Sequence, residues 1–149
     1  MSLRGTVFNF LPRKGAIDLI CELGSGGARF THLDDSLDIS HPTISKRLQE
    51  AEKRSLIEAD PIRLDHGRTH RYILTPKGAY LWWQLYQHGT VEAYYTYKKY
   101  QENYFEHQRN SFDKFRDQLG ELDQIEPTQK HKDDLEELDE YEKTSHELF

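Results

Sequence analysis

The sequence predicts a mainly α-helical fold with one small β-hairpin and one long carboxy-terminal helix, and three stretches predict it. Residues 40 to 57, SHPTISKRLQEAEKRSLI, place Ile44, Leu48 and Ala51 at the i, i+4, i+7 spacing of one buried helical face. Residues 57 to 74 change period and run as two β-like segments around Asp65-His66-Gly67-Arg68, the pattern of a hairpin. From Thr75-Pro76 no proline interrupts the chain until Pro127, so a helix can run from 76 to about 119, bent or broken near Gly89.

A chain of 149 residues suffices for one domain with a real core plus an extension. Its hydrophobic content of 36% is low for a globular protein, which favours an elongated or oligomeric molecule over a compact sphere. No apolar run approaches the length of a membrane helix and the first residues lack an apolar signal core, so a soluble, cytoplasmic protein is expected. The single cysteine, Cys21, has no partner for an intrachain disulfide and lies among Ile17, Leu19, Ile20 and Leu23, which favours a buried packing residue over a redox or metal sensor. The net charge of −6 is unevenly spread: +2 over residues 1–80, 0 over 81–120 and −8 over 121–149. Acidity is therefore confined to the tail, and the amino-terminal half is mildly basic.

Taken in order, Val7, Phe8, Phe10 and Leu11 form an apolar lead-in. A first helix is expected over about 12 to 23, started by Pro12, with Ile17, Ile20 and Leu23 buried and Gly24 stopping it. Ala28 to Phe30 fits a brief strand. Thr31 and Asp34 resemble a capping box for a second helix, THLDDSLD, with Leu33 and Leu37 inward. After a turn of about four residues the next helix begins, with His41 favoured as N-cap and Pro42 as its first residue because proline drives its predecessor out of the α region, although Ser40 has the better capping side chain. On that helix Pro42, Thr43, Lys46, Gln49 and Lys53 share a short, polar, basic face that suits an anionic partner outside the protein. The hairpin then carries His66 and Arg68 at its tip and Arg63 and Arg71 on its arms. Thr75 as N-cap and Pro76 at the first position open the long helix, which would span roughly 65 Å if continuous. Such a length exceeds what a small domain can cover, so its surplus must pack on something else. Phe105, Phe112, Phe115, Leu119 and Leu122 step by threes, fours and sevens into a coiled-coil-like stripe, with Gln108 its one polar position, and a second copy of the helix is the simplest partner. In the acidic tail Leu135, Leu138 and Tyr141 keep a helical spacing, although a solvated, frayed segment is the commoner outcome of such a charge run.

This order of a turn-linked helix pair, a basic-tipped hairpin, the TPKG start and a long helix resembles the winged helix-turn-helix transcriptional regulators of the PadR, MarR and HxlR kind, over about residues 12 to 120. The most specific elements are Thr43-Ile44-Ser45-Lys46-Arg47-Leu48, followed by Ser55-Leu56-Ile57, and Tyr72-Ile73-Leu74-Thr75-Pro76-Lys77-Gly78. The family pattern usually has glycine before the Leu-Ile pair, where this chain has Ser55. With this resemblance the expected organisation is a winged helix-turn-helix domain over 1–75 and a helical dimerisation region over 76–120, followed by the acidic tail over 121–149 that the charge distribution marks. The resemblance also implies a homodimer and double-stranded DNA as partner, and many members respond to a small-molecule effector. Carried over position by position, His41, Thr43, Ser45 and Lys46 would read base edges or phosphates, Arg47 a phosphate at the helix flank, and Arg68 a phosphate or the minor groove. Lysine can donate to guanine O6 and N7, threonine and serine serve either base type, and arginine favours a narrow, negative minor groove. Trp82, Tyr94, Phe105, Phe112, Phe115 and Leu119 are the expected dimer interface.

The expected function is thus a DNA-binding transcriptional regulator, a repressor acting as a homodimer on an inverted-repeat operator. A winged-helix protein-interaction module that never touches DNA is the rival from another class, consistent with the acidic total charge. A small-ligand sensor using the aromatic helix is the third reading. No nucleophile elbow, phosphate-binding glycine loop or metalloprotease motif is present, so no enzymatic activity is expected. Eight histidines lack metal-ligand spacing with the one cysteine, and neither cofactor nor metal is expected.

Overall fold

The computed structural model describes residues 7–119 and 129–148. The elements in order are α1 (Val7–Phe10), α2 (Ala16–Leu23), β1 (Ala28–Arg29), α3 (Phe30–Ser36), α4 (His41–Lys53), β2 (Ile57–Leu64), β3 (Gly67–Leu74), α5 (Pro76–Gln87), α6 (Thr90–Leu119) and α7 (Gln129–Leu148). The chain divides into two compact units, one ending at Gln101 and one beginning at Glu102.

The core of the first unit is built by the faces that the sequence periodicity marks. Leu19, Ile20 and Leu23 of α2, Leu33 of α3, and Ile44, Leu48 and Ala51 of α4 are buried together with Phe10, Leu37, Leu56 and Ile57. Burying such side chains stabilises by about 1.5–3 kcal/mol each before the entropy cost, so this cluster dominates the stability of the first unit. Cys21 is fully buried beside Val91 and Tyr94.

Three element starts depart from expectation. The helix expected from Pro12 begins only at Ala16, because residues 11–15 form turns that end on Gly15 at φ 83°. The second helix starts at Phe30 with Arg29 as its N-cap, and Thr31 caps nothing. Pairing of Ala28 with Tyr72 and Arg29 with Arg71 holds the chain extended up to that point, so the strand fixes where the helix starts. At α4 the cap is Ser40, whose Oγ accepts from the Thr43 amide at 3.4 Å and lies 2.8 Å from Thr43 Oγ1, and His41 is already helical. Proline at the second helical position loses no hydrogen bond, since that amide has no intrahelical acceptor, and the serine cap prevails over the proline's pressure on His41.

The sheet order is β1-β3-β2, with β2 and β3 joined by the two-residue turn Asp65-His66. Expected and observed agree at the next junction. Thr75 Oγ1 accepts from the Gly78 amide at 3.1 Å and caps α5. A side chain at Gly78 would collide with the Leu56 carbonyl, so the TPKG glycine is what lets α5 start against the segment between α4 and β2. The long helix breaks at Gly89, which holds φ at 79° between α5 and α6, a conformation glycine tolerates at little cost.

The first unit also takes in α5 and the opening turns of α6. Trp82 lies against Gly24 and packs, with Leu81 and Leu85, on the domain core. Tyr94 is only 7% exposed and donates from its hydroxyl to Glu22 Oε1. Both residues are expected at a dimer interface; within the chain Trp82 of α5 is partly covered and Tyr94 of α6 is buried, and both pack beside α2. In the second unit, α6 exposes Phe105, Phe112 and Phe115, and α7 exposes Leu135, Leu138 and Tyr141. Leu119 ends α6 with its side chain outside the described residues, as Leu122 lies outside them altogether. The tail from Gln129 is helical rather than frayed.

Candidate nucleic-acid interface

The second helix of the turn-linked pair, α4, buries Ile44, Leu48 and Ala51 and leaves Lys46, Gln49 and Lys53 exposed and Thr43 half-buried. Among the described residues neither Lys46 nor Lys53 has an acidic partner within salt-bridge distance. The helix therefore presents free donors beside a polar threonine on the side away from the core. At its amino end the His41 ring is held 4.5 Å from Phe30, and its Nδ1 lies 3.6 Å from Asp34 Oδ1. Ser45 is half-buried one residue before Lys46, and Thr43 is tied into the Ser40 cap. His41, Thr43 and Lys46 thus lie along the first two turns of one helix, with Ser45 at the edge of its covered side.

Arg47 is placed otherwise than expected. Its side chain is 12% exposed, its Nε donates to the Lys14 carbonyl at 2.8 Å, and its Nη1 donates to Glu50 at 3.2 Å. The guanidinium faces the α1–α2 connection and not the open side of α4. A buried carboxylate one helical turn on draws it there, since a charge so little exposed must be paired.

The hairpin adds a second set of cations. Arg63 and Arg68 are register partners, directly opposite on β2 and β3, so their side chains leave the same face of the ribbon. Neither has a carboxylate partner among the described residues, whereas Arg71 pairs with Asp60 at 3.3 Å. Two like charges at facing positions disfavour the hairpin unless an anion neutralises them. Arg68 was legible from the turn motif. Arg63 becomes a candidate only once the register places it against Arg68.

A second polar cluster ties the turn before α4 to α6. Asp38 Oδ2 accepts from Gln101 Nε2 at 2.7 Å and from the Tyr97 hydroxyl at 2.9 Å, while Lys98 donates to the Ser36 carbonyl. Gln101 above all, then Tyr97 and Lys98, hold the Asp38 carboxyl below its usual range against the opposing effect of burial. Asp18 nearby is pushed up, chiefly by burial and then by the charge of Asp38. Among the described residues no three His, Cys, Asp or Glu side chains are grouped to hold a metal ion, and no helix is long and apolar enough to cross a membrane.

The model of the HxlR-like helix-turn-helix family matches residues 11–98. The chain belongs to that family. The matched span takes in α2 to the opening turns of α6 and so covers the helix pair, the wing and α5. Among solved structures, the chain is similar to a protein from Enterococcus faecalis V583 described as a transcriptional regulator of the MarR family, at 26% identity and a TM-score of 0.51, covering 63% of this chain and 86% of that one. It is also similar to the reduced form of the transcriptional regulator YodB from B. subtilis, at 26% identity and a TM-score of 0.49, over 55% of this chain and 82% of that one. No curated protein matches. An HxlR-like winged helix-turn-helix places this chain among DNA-binding transcriptional regulators, with α4 as the second helix of the motif and β2–β3 as the wing.

Proposed function

We propose that this HxlR-like protein represses transcription as a cytoplasmic homodimer, with α4 in the major groove and the wing on the adjacent backbone or minor groove. The observation that carries the reading is the exposed face of α4, where Lys46 and Lys53 stand free of acidic partners beside Thr43 and Gln49. His41, Thr43, Ser45 and Lys46 are the base-edge or phosphate readers. Arg68 and its facing Arg63 take a phosphate or a narrow minor groove, which would remove their mutual repulsion. Phe105, Phe112 and Phe115, all exposed on α6, together with Leu119 are the contact with the second copy. Two reading helices related by a two-fold axis sit about 34 Å apart, so the operator is an inverted repeat. A small-molecule effector has a candidate berth in a groove of about 410 Å³ lined by Asp18, Asp38, Tyr94 and Tyr97.

The test is a gel shift on fragments of the protein's own upstream region at several salt concentrations. Wild type should bind with a negative salt slope. Lys46→Ala should weaken operator binding by about tenfold, the scale of a single base-reading pair, and Arg68→Ala should make the salt slope shallower by about one, the share of a single phosphate. An absence of salt-sensitive binding by the wild type defeats the reading.

A further inference from the structure

Glu50 is an acid on the helix proposed to meet DNA, and simple charge counting makes it an obstacle there. The structure places it differently. Glu50 is 9% exposed. Its Oε1 lies 2.6 Å from Arg13 Nη1 in the α1–α2 connection, and its two oxygens accept from Arg47 Nη1 at 3.2 and 3.4 Å. Arg47 in turn donates from Nε to the Lys14 carbonyl at 2.8 Å. The Glu50 carbonyl accepts from Arg54 Nη1 at 2.9 Å, and the Arg54 guanidinium sits 5.7 Å from the Phe10 ring centroid. Side chains and backbone of α4 are thus anchored at three places to the segment that precedes α2.

The electrostatic consequence is opposite to what charge counting alone gives. Two guanidinium groups around one carboxylate leave a local charge of +1, so the cluster attracts a phosphate backbone. The geometric consequence is larger. Apolar packing of Ile44, Leu48 and Ala51 fixes which face of α4 is inward, but such contacts are non-directional and tolerate small rotations and slides. Charge-assisted hydrogen bonds to a buried carboxylate are directional and do not. Base-edge readout depends on bidentate geometry, so a small error in the pitch of α4 costs affinity for the right sequence and little for any other.

We propose that Glu50 is a positioning residue for DNA reading: through Arg13 and Arg47 it sets the pitch of α4, so that an acid on the reading helix favours specific binding. The proposal rests on the DNA-binding function above and extends it to residues that touch no base.

The experiment compares Glu50→Gln with wild type on an operator fragment enriched by the wild-type protein and on a random-sequence duplex of equal length, at a temperature where melting curves show both proteins folded. Glutamine keeps the shape and removes the charge. Operator affinity should fall by about tenfold or more. Affinity for the random duplex should hold or rise, because one negative charge is gone. The ratio of the two affinities is therefore the readout. A purely structural role would lower both in step with the folded fraction, and a repulsive role would raise both; either result overturns the proposal. Arg13→Ala provides a second arm if Glu50→Gln does not fold, since the Arg13 side chain is 40% exposed and its removal opens no core cavity. The same fall in ratio is expected, and an unchanged ratio overturns the positioning role. Failure of the wild type to bind any duplex would instead overturn the functional reading and this one with it.

Discussion

At the scale of single residues, Ser55 is the clearest sign of a compromise in the chain. It holds φ at 59°, in the left-handed region where a β-carbon costs about 1–2 kcal/mol. It does so between the end of α4 and β2, at the position where the resemblance leads one to expect glycine. Ser55→Gly should therefore raise stability by about 1 kcal/mol, or roughly 2–4 °C in melting temperature, with DNA affinity unchanged. A lower melting temperature would show that the serine side chain contributes more than its backbone strain costs. Asp38 gives a pH signature. Its pKa is held down in the folded state, first by Gln101, so its contribution is present at pH values above the ordinary 3.8 and is lost as pH falls through the lowered value. Melting temperatures of wild type and Asp38→Asn should differ most near neutrality and converge toward pH 3, and a gap that does not narrow would count against the Gln101–Asp38–Tyr97 link. Cys21 is pushed up to about 12, first by burial and then by Asp18 and Glu22. At pH 8 the thiol stays protonated, so a thiol reagent should modify the native protein only as fast as it opens. Rapid labelling of the folded chain would contradict that burial.

At the scale of elements, some of this fold was legible in the sequence and some could not be. The reading helix, the hairpin and the start of α5 were legible because each is set by local chemistry: the Ile44/Leu48/Ala51 spacing, the turn at Asp65, and Thr75-Pro76 as a cap. What failed was decided at a distance. The start of α3 is set by the pairing of Arg29 with Arg71, and a Thr31–Asp34 pattern carries no trace of that strand. Trp82 and Tyr94 share the spacing and chemistry of the exposed aromatics farther along. Only the tertiary fold shows that they pack beside α2, Trp82 in part and Tyr94 almost wholly buried, while Phe105 and Phe112 remain open. Arg47 reads as a surface cation until Glu50 is found buried beside it. The wing illustrates how register adds information. Arg63 lies opposite Arg68, a like-charge pair that disfavours the hairpin by about 0.2–1 kcal/mol relative to a neutral one. Arg63→Thr removes that repulsion and adds a β-favouring residue, so it should raise the melting temperature slightly while weakening DNA binding. A variant that binds DNA as tightly as wild type would remove Arg63 from the interface.

At the scale of the whole molecule, the charge distribution sets the problem that any DNA-binding role must solve. One reading unit is only mildly basic, +2 over residues 1–80, which predicts weak attraction to a duplex from a single copy. Pairing through α6 would double the contact and confine it to sites with the right spacing, since the second head then binds as an intramolecular event. Phe112→Glu combined with Phe115→Glu places charge on side chains that are now 59% and 45% exposed, so the fold of each chain should survive. Sedimentation should then show a monomer, and operator affinity should fall by about a hundredfold or more. A dimer that persists would move the interface elsewhere. The tail bears on the same balance from the other side. Residues 121–149 carry −8, more acid than the rest of the chain has in net base, and α7 presents much of it on an exposed helix. The tail would serve solubility alone or would also compete with phosphate for the cations, and competition would act against every DNA sequence alike. In that case it would favour discrimination, suppressing the sequence-independent part of binding and leaving base-edge contacts untouched. Removing 121–149 should strengthen binding to random duplex severalfold at low salt and reduce the ratio of operator to random affinity, with the difference fading as salt screens both terms. An affinity for random DNA that does not change on truncation would leave the tail no electrostatic part in DNA binding.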